Sequence, residues 1–268
     1  MIKRIARTPV GPVIVLGFAL FALFGPALAP QDPAHVDLAH EFEAPSGAHW
    51  LGTGDNGVDV LSALLHGARL AGTVGLVVVA LSLSIGTLVG ALSGYRGGWT
   101  DHTVTGAADL VQAFPAIVLN IAILALVARP GLIHLIAALV ANGWVLYARV
   151  ARAQALTLRE REFVTAARAL GYSESRIVLR HLLPNLAGPL VVQATSGLGA
   201  AILAESTLSF LGLGPGKAAS WGALLDQGSA VLLRFPHVAL FSGAAIAFTV
   251  LGFNLAGDWL RDRLDPRL

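Results

Sequence analysis

The chain has 268 residues, of which 55% are hydrophobic and 13% are charged, and it contains no cysteine. The charged fraction lies well below the roughly 25% of soluble domains, so the composition indicates an integral membrane protein and excludes an ordinary soluble domain. The missing cysteines exclude disulfides and thiolate metal sites, and the formal net charge of +2 is too small to indicate a nucleic-acid partner.

The first predicted element is a membrane helix from about Val10 to Ala29. This uncharged run is long enough to cross a bilayer, and it follows three basic residues at positions 3, 4 and 7. Basic flanks mark the cytoplasmic side, so we expect a cytoplasmic N-terminus. Ala-Leu-Ala at 27–29 also fits a signal-peptide cleavage site. Because the apolar run exceeds the roughly 7 to 15 residues of a signal peptide, a retained anchor is favoured.

Residues 31–68 contain six acidic residues and no Lys or Arg, as expected of a segment on the non-cytoplasmic side. The segment includes a Gly-x-Gly-x-x-Gly string at 52–57. A dinucleotide site would need a preceding strand and a βαβ unit, which an acidic loop does not provide. A turn-rich loop is therefore predicted here.

The second and third predicted spans run from about Leu70 to Leu92 and from about Val104 to Val127. Glycines recur every fourth residue near the end of the second span, at Gly86, Gly90 and Gly94. Small residues at this spacing allow two membrane helices to pack backbone to backbone. Pro115 is expected to kink the third span.

Three further spans are predicted at about Leu132–Leu146, Asn185–Leu211 and Pro236–Ala256, with an outer loop at Gly212–Arg234 before the last. Polar residues inside the spans are candidates for the translocation path or for helix interfaces, and an intramembrane carboxylate is a functional candidate by default. Asp109 lies one turn from a helix start, so a wetted interfacial position is an equal alternative for it. The candidates are Asp109, Gln112, Asn142 and Glu205.

A polar segment at Arg149–Pro184, here called the coupling segment, separates the fourth and fifth spans. Its pattern predicts a short amphipathic helix, a left-handed turn at Gly171, and a second helix that begins at Ser173 and ends at Pro184. The apolar face of the first helix is predicted to comprise Phe163, Ala166, Ala167 and Leu170.

The distribution of basic residues tests this topology. With six spans and both termini in the cytoplasm, all but four of the 18 Lys and Arg residues lie inside, the exceptions being Arg69, Arg129, Lys217 and Arg234. This bias places the coupling segment in the cytoplasm.

Several motifs resemble a known family. The run 162–171, EFVTAARALG, followed by HLLPN at 181–185, resembles the EAA loop of binding-protein-dependent ABC importer permeases. Other stretches are similar to the dipeptide, oligopeptide and nickel branch of that family, and together they span residues 49–268. They are HWLGTG at 49–54, DVLS at 59–62, GAR at 67–69, GYRGG at 94–98, AFP at 113–115, AESTLSFLGLG at 204–214, SWG at 220–222, FNL at 253–255 and LDP at 264–266.

The resemblance implies an all-α membrane protein with the type I ABC importer permease fold and alternating access driven by ATP. It implies a second, homologous permease subunit, two ABC ATPase subunits that bind ATP and Mg, and an extracytoplasmic solute-binding protein. This chain itself is expected to hold no cofactor and no metal, and to be no enzyme. The residues that the resemblance assigns to ATPase coupling are Glu162, Thr165, Ala166, Ala167, Arg168, Gly171 and Pro184.

The chain departs from the family pattern in three places. Thr165 stands in place of the Glu that names the loop, Val58 replaces the usual Arg before Asp59, and the loop before Ser220 is shorter than usual. The first departure concerns contact with the ATPase. The other two concern docking of the solute-binding protein.

The predicted domain boundaries are 1–68 for the tail, first helix and outer segment, 69–257 for the permease domain, and 258–268 for a cytoplasmic tail. Small peptides are the expected solute, with nickel or a metal chelate as the alternative. An ion-coupled secondary transporter is a further alternative, for which Asp109 and Glu205 are the available carboxylates.

Overall fold

The computed structural model describes residues 9–216 and 219–264. The basic residues at positions 3, 4 and 7, Lys217 and Arg267 lie outside these ranges. Within them the regular secondary structure is helical, apart from one isolated β-bridge between Thr53 and Asp59. The α-helices are α1 (Val10–Leu28), α2 (Val60–Arg96), α3 (Gly98–Gln112), α4 (Ala116–Ala125), α5 (Leu132–Leu158), α6 (Glu162–Ala169), α7 (Glu174–Ile177), α8 (Leu183–Phe210), α9 (Trp221–Ala230) and α10 (Pro236–Leu264).

Among the described residues, five helical stretches are long and apolar enough to cross a membrane, namely α1, α2, α5, the stretch Glu174–Phe210 that ends with α8, and α10. Helices α3 and α4 meet this condition only as a pair, bent by 84°. The six predicted spans are therefore present if the bent pair is one span. The predicted shape of the third span is wrong, because the chain forms two helices and not one kinked helix. Pro115 lacks an N–H and disfavours helical backbone at Phe114, so α3 stops before it.

The predicted glycine packing of α2 is confirmed. A Cβ atom at Gly86 would lie 2.3 Å from the carbonyl oxygen of Trp144, and one at Gly90 would lie 2.1 Å from the carbonyl oxygen of Ala148. One at Gly94 would also approach the α5 backbone closely. Helices α2 and α5 thus pack backbone to backbone along this row, which only glycine permits.

Helix α1 packs against α2 and α10. A Cβ atom at Gly11 would lie 2.2 Å from the backbone nitrogen of Ala256. The Phe18 ring meets the rings of Trp221 and Phe253 edge-on, at centroid distances of 5.9 and 5.6 Å. Removal of α1 would uncover these surfaces. The retained anchor stays a prediction.

The predicted outer loop between α8 and α10 contains the short helix α9. The side chain of Ser220 accepts a hydrogen bond of 3.0 Å from the backbone nitrogen of Ala223 and caps α9. Trp221 is buried, and its indole nitrogen donates to the carbonyl oxygen of Leu64 at 2.8 Å. Burial of this one large side chain fixes α9 against α2.

Two boundaries of the coupling segment also differ from the prediction. Helix α5 continues past Leu146 to Leu158, so the first arginines of the segment lie on a helix. Pro184 does not end a helix, because α7, a π-helical turn at Val178–Leu182 and α8 are continuous. In that turn the backbone nitrogen of Leu183 donates to the carbonyl oxygen of Val178. The wider turn accommodates a proline that has no N–H to donate.

Candidate coupling surface and transmembrane cavity

The turn between α6 and α7 follows the predicted helix-glycine-helix pattern. The backbone nitrogen of Tyr172 donates to the carbonyl oxygen of Ala167 at 3.1 Å, and that of Gly171 donates to Arg168 at 2.9 Å. Gly171 has a φ of +76°, the left-handed conformation that glycine adopts without strain. Ser173 occupies the N-cap position of α7, but its side chain makes no capping hydrogen bond.

The predicted apolar face of α6 is only partly correct. Val164 and Ala167 are buried in the main hydrophobic core. Phe163 and Leu170, which were expected to share the face of Ala167, are 40% and 71% exposed. This short helix packs through a narrow stripe at i and i+3, and the rest of it faces outward. Its outward residues, here called the exposed α6 face, are Glu162, Phe163, Thr165, Ala166 and Leu170.

The last turn of α2 holds α6 in place. The Arg168 guanidinium donates from Nε to the Tyr95 hydroxyl at 3.2 Å and lies 5.0 Å from the centre of the Tyr95 ring. Arg159 donates from Nη1 to the carbonyl oxygen of Gly94 at 3.2 Å. The predicted coupling residue Arg168 therefore contacts a membrane helix of its own chain.

Two ion pairs continue this connection. Arg96 Nε lies 2.7 Å from Glu174 Oε2 at the start of α7. Arg152 donates two guanidinium N–H groups to the Asp101 carboxylate in a bidentate ion pair. The same carboxylate accepts a hydrogen bond of 2.6 Å from the Ser93 hydroxyl. Four consecutive residues, 93–96, thus bond to the coupling segment or to α3. Of these four residues, only Gly94 had a role predicted from the sequence, that of helix packing, although the GYRGG motif at 94–98 is a signal that marks this turn.

Of the seven predicted coupling residues, six lie on or next to α6, and only Ala167 among them is buried. Pro184 lies apart from them, exposed near the start of α8. Its place among the coupling residues stays a prediction.

A cavity of about 510 Å³ lies between α2, α3, α4, α5 and α8. Two of the predicted polar candidates, Gln112 and Asn142, line it. Three polar residues that the sequence analysis did not single out also line it, namely Ser82, Asn120 and Tyr147. Asn120 could have been noticed as the one amide within the apolar run 116–126. The rest of the lining is apolar apart from Thr207.

The two predicted carboxylates lie away from this cavity. Asp109 is exposed and pairs with Arg149 at 2.7 Å. Glu205 is fully buried in α8, where its carboxylate accepts hydrogen bonds from Ser206 at 3.2 Å and Ser209 at 2.7 Å. The four candidates therefore do not form one site.

Comparison with known proteins identifies the family. The family model described as "binding-protein-dependent transport system inner membrane component" matches residues 86–268. The chain belongs to this family.

Named relatives of this permease cover nearly all of it. It is 39% identical to the dipeptide transport system permease protein DppC of Alkalihalophilus pseudofirmus, over 100% of this chain and 88% of that protein. It is 38% identical to the oligopeptide transport system permease protein OppC of Bacillus subtilis, over 97% and 85%. It is 40% identical to the probable D,D-dipeptide transport system permease protein DdpC of Escherichia coli, over 100% and 90%.

Solved structures confirm the predicted fold class of the permease. The inward-facing MetNI methionine ABC transporter matches with a TM-score of 0.61 and 21% identity, over 76% of this chain and 96% of that chain. An amino acid ABC transporter matches with a TM-score of 0.57 and 14% identity, over 75% and 94%. The permease therefore has the all-α, type I ABC importer fold and is a multi-pass inner-membrane protein.

The segment of the permease between α1 and α2 is the predicted turn-rich loop. The Asp59 carboxylate, next to the departure at Val58, caps α2 and lies 3.1 Å from His49 Nδ1, so two partners hold it in place.

A second pair in this segment is exposed to solvent. A hydrogen bond from His40 lowers the pKa of Asp37, and the same bond raises the pKa of His40. This solvent-exposed pair therefore keeps both charges over a wider pH range than the separate side chains would.

Proposed function

We propose that this permease passes small peptides across the inner membrane after a solute-binding protein delivers them. The observation that carries the proposal is the near-complete match, at about 40% identity, to permeases named for dipeptide and oligopeptide transport. The cavity supports it, because its lining includes three carboxamides and, of ionisable side chains, only the Tyr147 phenol. Amide groups are suited to hydrogen bonding with peptide groups.

The permease is proposed to work with a second, homologous permease, two ABC ATPase subunits and an extracytoplasmic binding protein. ATP and Mg would bind to the ATPase subunits, and this chain would bind neither. Alternating access would then follow nucleotide binding and hydrolysis in the partners. The exposed α6 face supports this arrangement, since it leaves Phe163 and Leu170 uncovered on a helix whose other side is packed in the core.

The proposed coupling path begins at α6 and continues through α2. A displacement of α6 by the ATPase would pull on Tyr95 through Arg168 and on Gly94 through Arg159. Because α2 and α5 are in backbone contact along the glycine row, they would move together. In this proposal Glu162, Thr165 and Ala166 contact the ATPase. Thr165 would offer it a hydroxyl where the family has a carboxylate.

The proposed topology puts both termini and the coupling segment in the cytoplasm. The basic residues Arg96, Arg152, Arg159 and Arg168 support it, since they cluster around the last turn of α2. Such clusters mark the cytoplasmic side of membrane proteins.

The alternatives have less support. Among the described residues, no group of three or more His, Asp and Glu side chains is placed to hold a metal ion. The relatives above are named for the transport of peptides, which favours the peptide proposal over nickel. An ion-coupled carrier would use a membrane carboxylate as its ion site. Asp109 is paired with Arg149, and Glu205 is buried within α8, accepts hydrogen bonds from Ser206 and Ser209, and does not line the cavity.

Reconstitution tests the proposal. The complete complex in proteoliposomes is expected to take up a radiolabelled dipeptide only when ATP is present on the ATPase side and binding protein is present on the other. An ionophore should leave the rate unchanged. Uptake that does not require ATP but is lost with the ionophore would instead indicate a secondary carrier. Uptake of Ni²⁺ and not of the peptide would indicate the metal alternative.

Arg168→Gln is expected to reduce ATP-dependent uptake about threefold, because it removes the cation–π contact and the hydrogen bond that join α6 to Tyr95. The amount of permease in the membrane should not change. Arg161→Gln is the matched control, since the Arg161 side chain makes no hydrogen bond or ion pair among the described residues. Equal uptake by the two variants would contradict the path through Tyr95.

A further inference from the structure

Two polar groups in the transmembrane cavity have no hydrogen-bond partner. The Oδ1 atom of Asn120 is unpaired although this residue is only 4% exposed, and the Oγ atom of Ser82 is unpaired at 1% exposed. Leaving a buried polar atom unpaired costs free energy that an apolar residue of the same shape would avoid. Both residues line the same cavity, Ser82 from α2 and Asn120 from α4.

Two glycines keep the space next to polar groups open. A Cβ atom at Gly143 would lie 2.7 Å from Ser82 Oγ, and one at Gly197 would lie 2.2 Å from the Tyr147 hydroxyl. Both glycines line the cavity. A side chain at either position would therefore displace a hydroxyl group from its present position.

The cavity has the size and chemistry of a binding site for a small neutral solute. Its volume of about 510 Å³ lies within the range of ligand sites. Its lining places the carboxamides of Gln112, Asn120 and Asn142 among apolar side chains and includes no Asp, Glu, Lys, Arg or His. A site of this kind favours groups that donate and accept hydrogen bonds without charge.

We infer that this cavity is a transit subsite for the peptide bond of the solute, in which Asn120 Oδ1 accepts the peptide N–H. Ser82, Gln112 and Asn142 line the same space and supply donors and acceptors for the remaining polar groups. The inference rests on the proposed function and deepens it, because it names the part of the solute that the permease itself contacts. The charged ends of a peptide find no partner in this cavity.

Stability measurements separate a ligand-binding role from a structural one. Asn120→Leu replaces an unpaired amide with an apolar group of similar size, so the melting temperature of the complex should stay the same or rise. A residue that serves only packing would give the opposite result. Ser82→Ala follows the same logic. Ser84→Ala is its matched control on the same helix, since Ser84 is exposed and its hydroxyl already donates to Ala80 at 2.7 Å.

The test uses the complete complex in proteoliposomes with saturating binding protein. Two probes are compared, alanyl-alanine and its analogue methylated at the peptide nitrogen, which has no N–H to donate. The wild-type complex is expected to import alanyl-alanine faster. Asn120→Leu should lower that rate about fivefold, the size expected for one lost hydrogen bond, and abolish the preference. Because the same binding protein serves every variant, a change in preference between variants reports the permease.

Other results would overturn the subsite. The subsite is overturned if the wild-type complex imports both probes equally, or if Asn120→Leu keeps the wild-type rate and preference. It is also overturned if Asn120→Leu loses rate together with a lower melting temperature, or if Ser82→Ala and Ser84→Ala have equal effects. In these cases the peptide importer stands and only the subsite fails. If the wild-type complex imports neither probe with ATP, the proposed peptide function fails, and the subsite fails with it.

Discussion

Gly90→Ala is expected to prevent the permease from accumulating as a folded protein in the membrane. The new Cβ atom would lie 2.1 Å from the carbonyl oxygen of Ala148 and 2.7 Å from its Cα atom. Both are backbone atoms, so no side-chain rotation relieves the contact, and α2 would have to separate from α5. We expect a cost above the roughly 3 kcal/mol of an ordinary overpacked core position. Membrane-fraction yield and melting temperature measure it.

Gly17→Ala is the control for this change. Gly17 also lies inside a membrane helix, α1, but a Cβ atom there would meet nothing within 4 Å. This variant should accumulate normally, since alanine favours helix more than glycine does. If the two variants accumulated and melted alike, the close packing of α2 on α5 would be contradicted.

Gly171→Arg is expected to abolish ATP-dependent uptake and copurification of the ATPase while leaving the membrane helices folded. The left-handed φ of +76° at this position costs a non-glycine residue about 1 to 2 kcal/mol, which would unwind or redirect the turn after α6. The position is open, with nothing within 4 Å of a Cβ atom, so the core is not disturbed. A long charged side chain would also stand next to Leu170 on the exposed α6 face.

Gly171→Asn separates the two causes. Asparagine tolerates the left-handed conformation better than other non-glycine residues, so this variant should keep most of the uptake. Uptake is measured with the same dipeptide, and membrane yield is measured in parallel. Wild-type uptake in Gly171→Arg would remove the coupling role from this turn, whereas equal losses in both variants would assign the effect to the added side chain and not to the backbone.

The membrane class, the approximate positions of the spans, the turn at Gly171 and the packing role of Gly86, Gly90 and Gly94 could all be predicted from the amino-acid sequence. These features depend on local composition and on periodicity along a single helix. A membrane helix needs about 20 apolar residues whatever surrounds it, and a left-handed turn depends on the residue at that one position.

Three features could not be predicted without the packing of the helices: the side of α6 that is buried, the path of the chain past Pro184, and the set of polar residues that line the cavity. Val164 is buried and Phe163 is exposed because of the core against which α6 lies, and both are apolar in sequence. The bond between Arg168 and Tyr95 joins positions 73 residues apart. Asn120 and Ser82 likewise line one cavity because distant helices pack together, and the residues next to them along the chain do not indicate that packing.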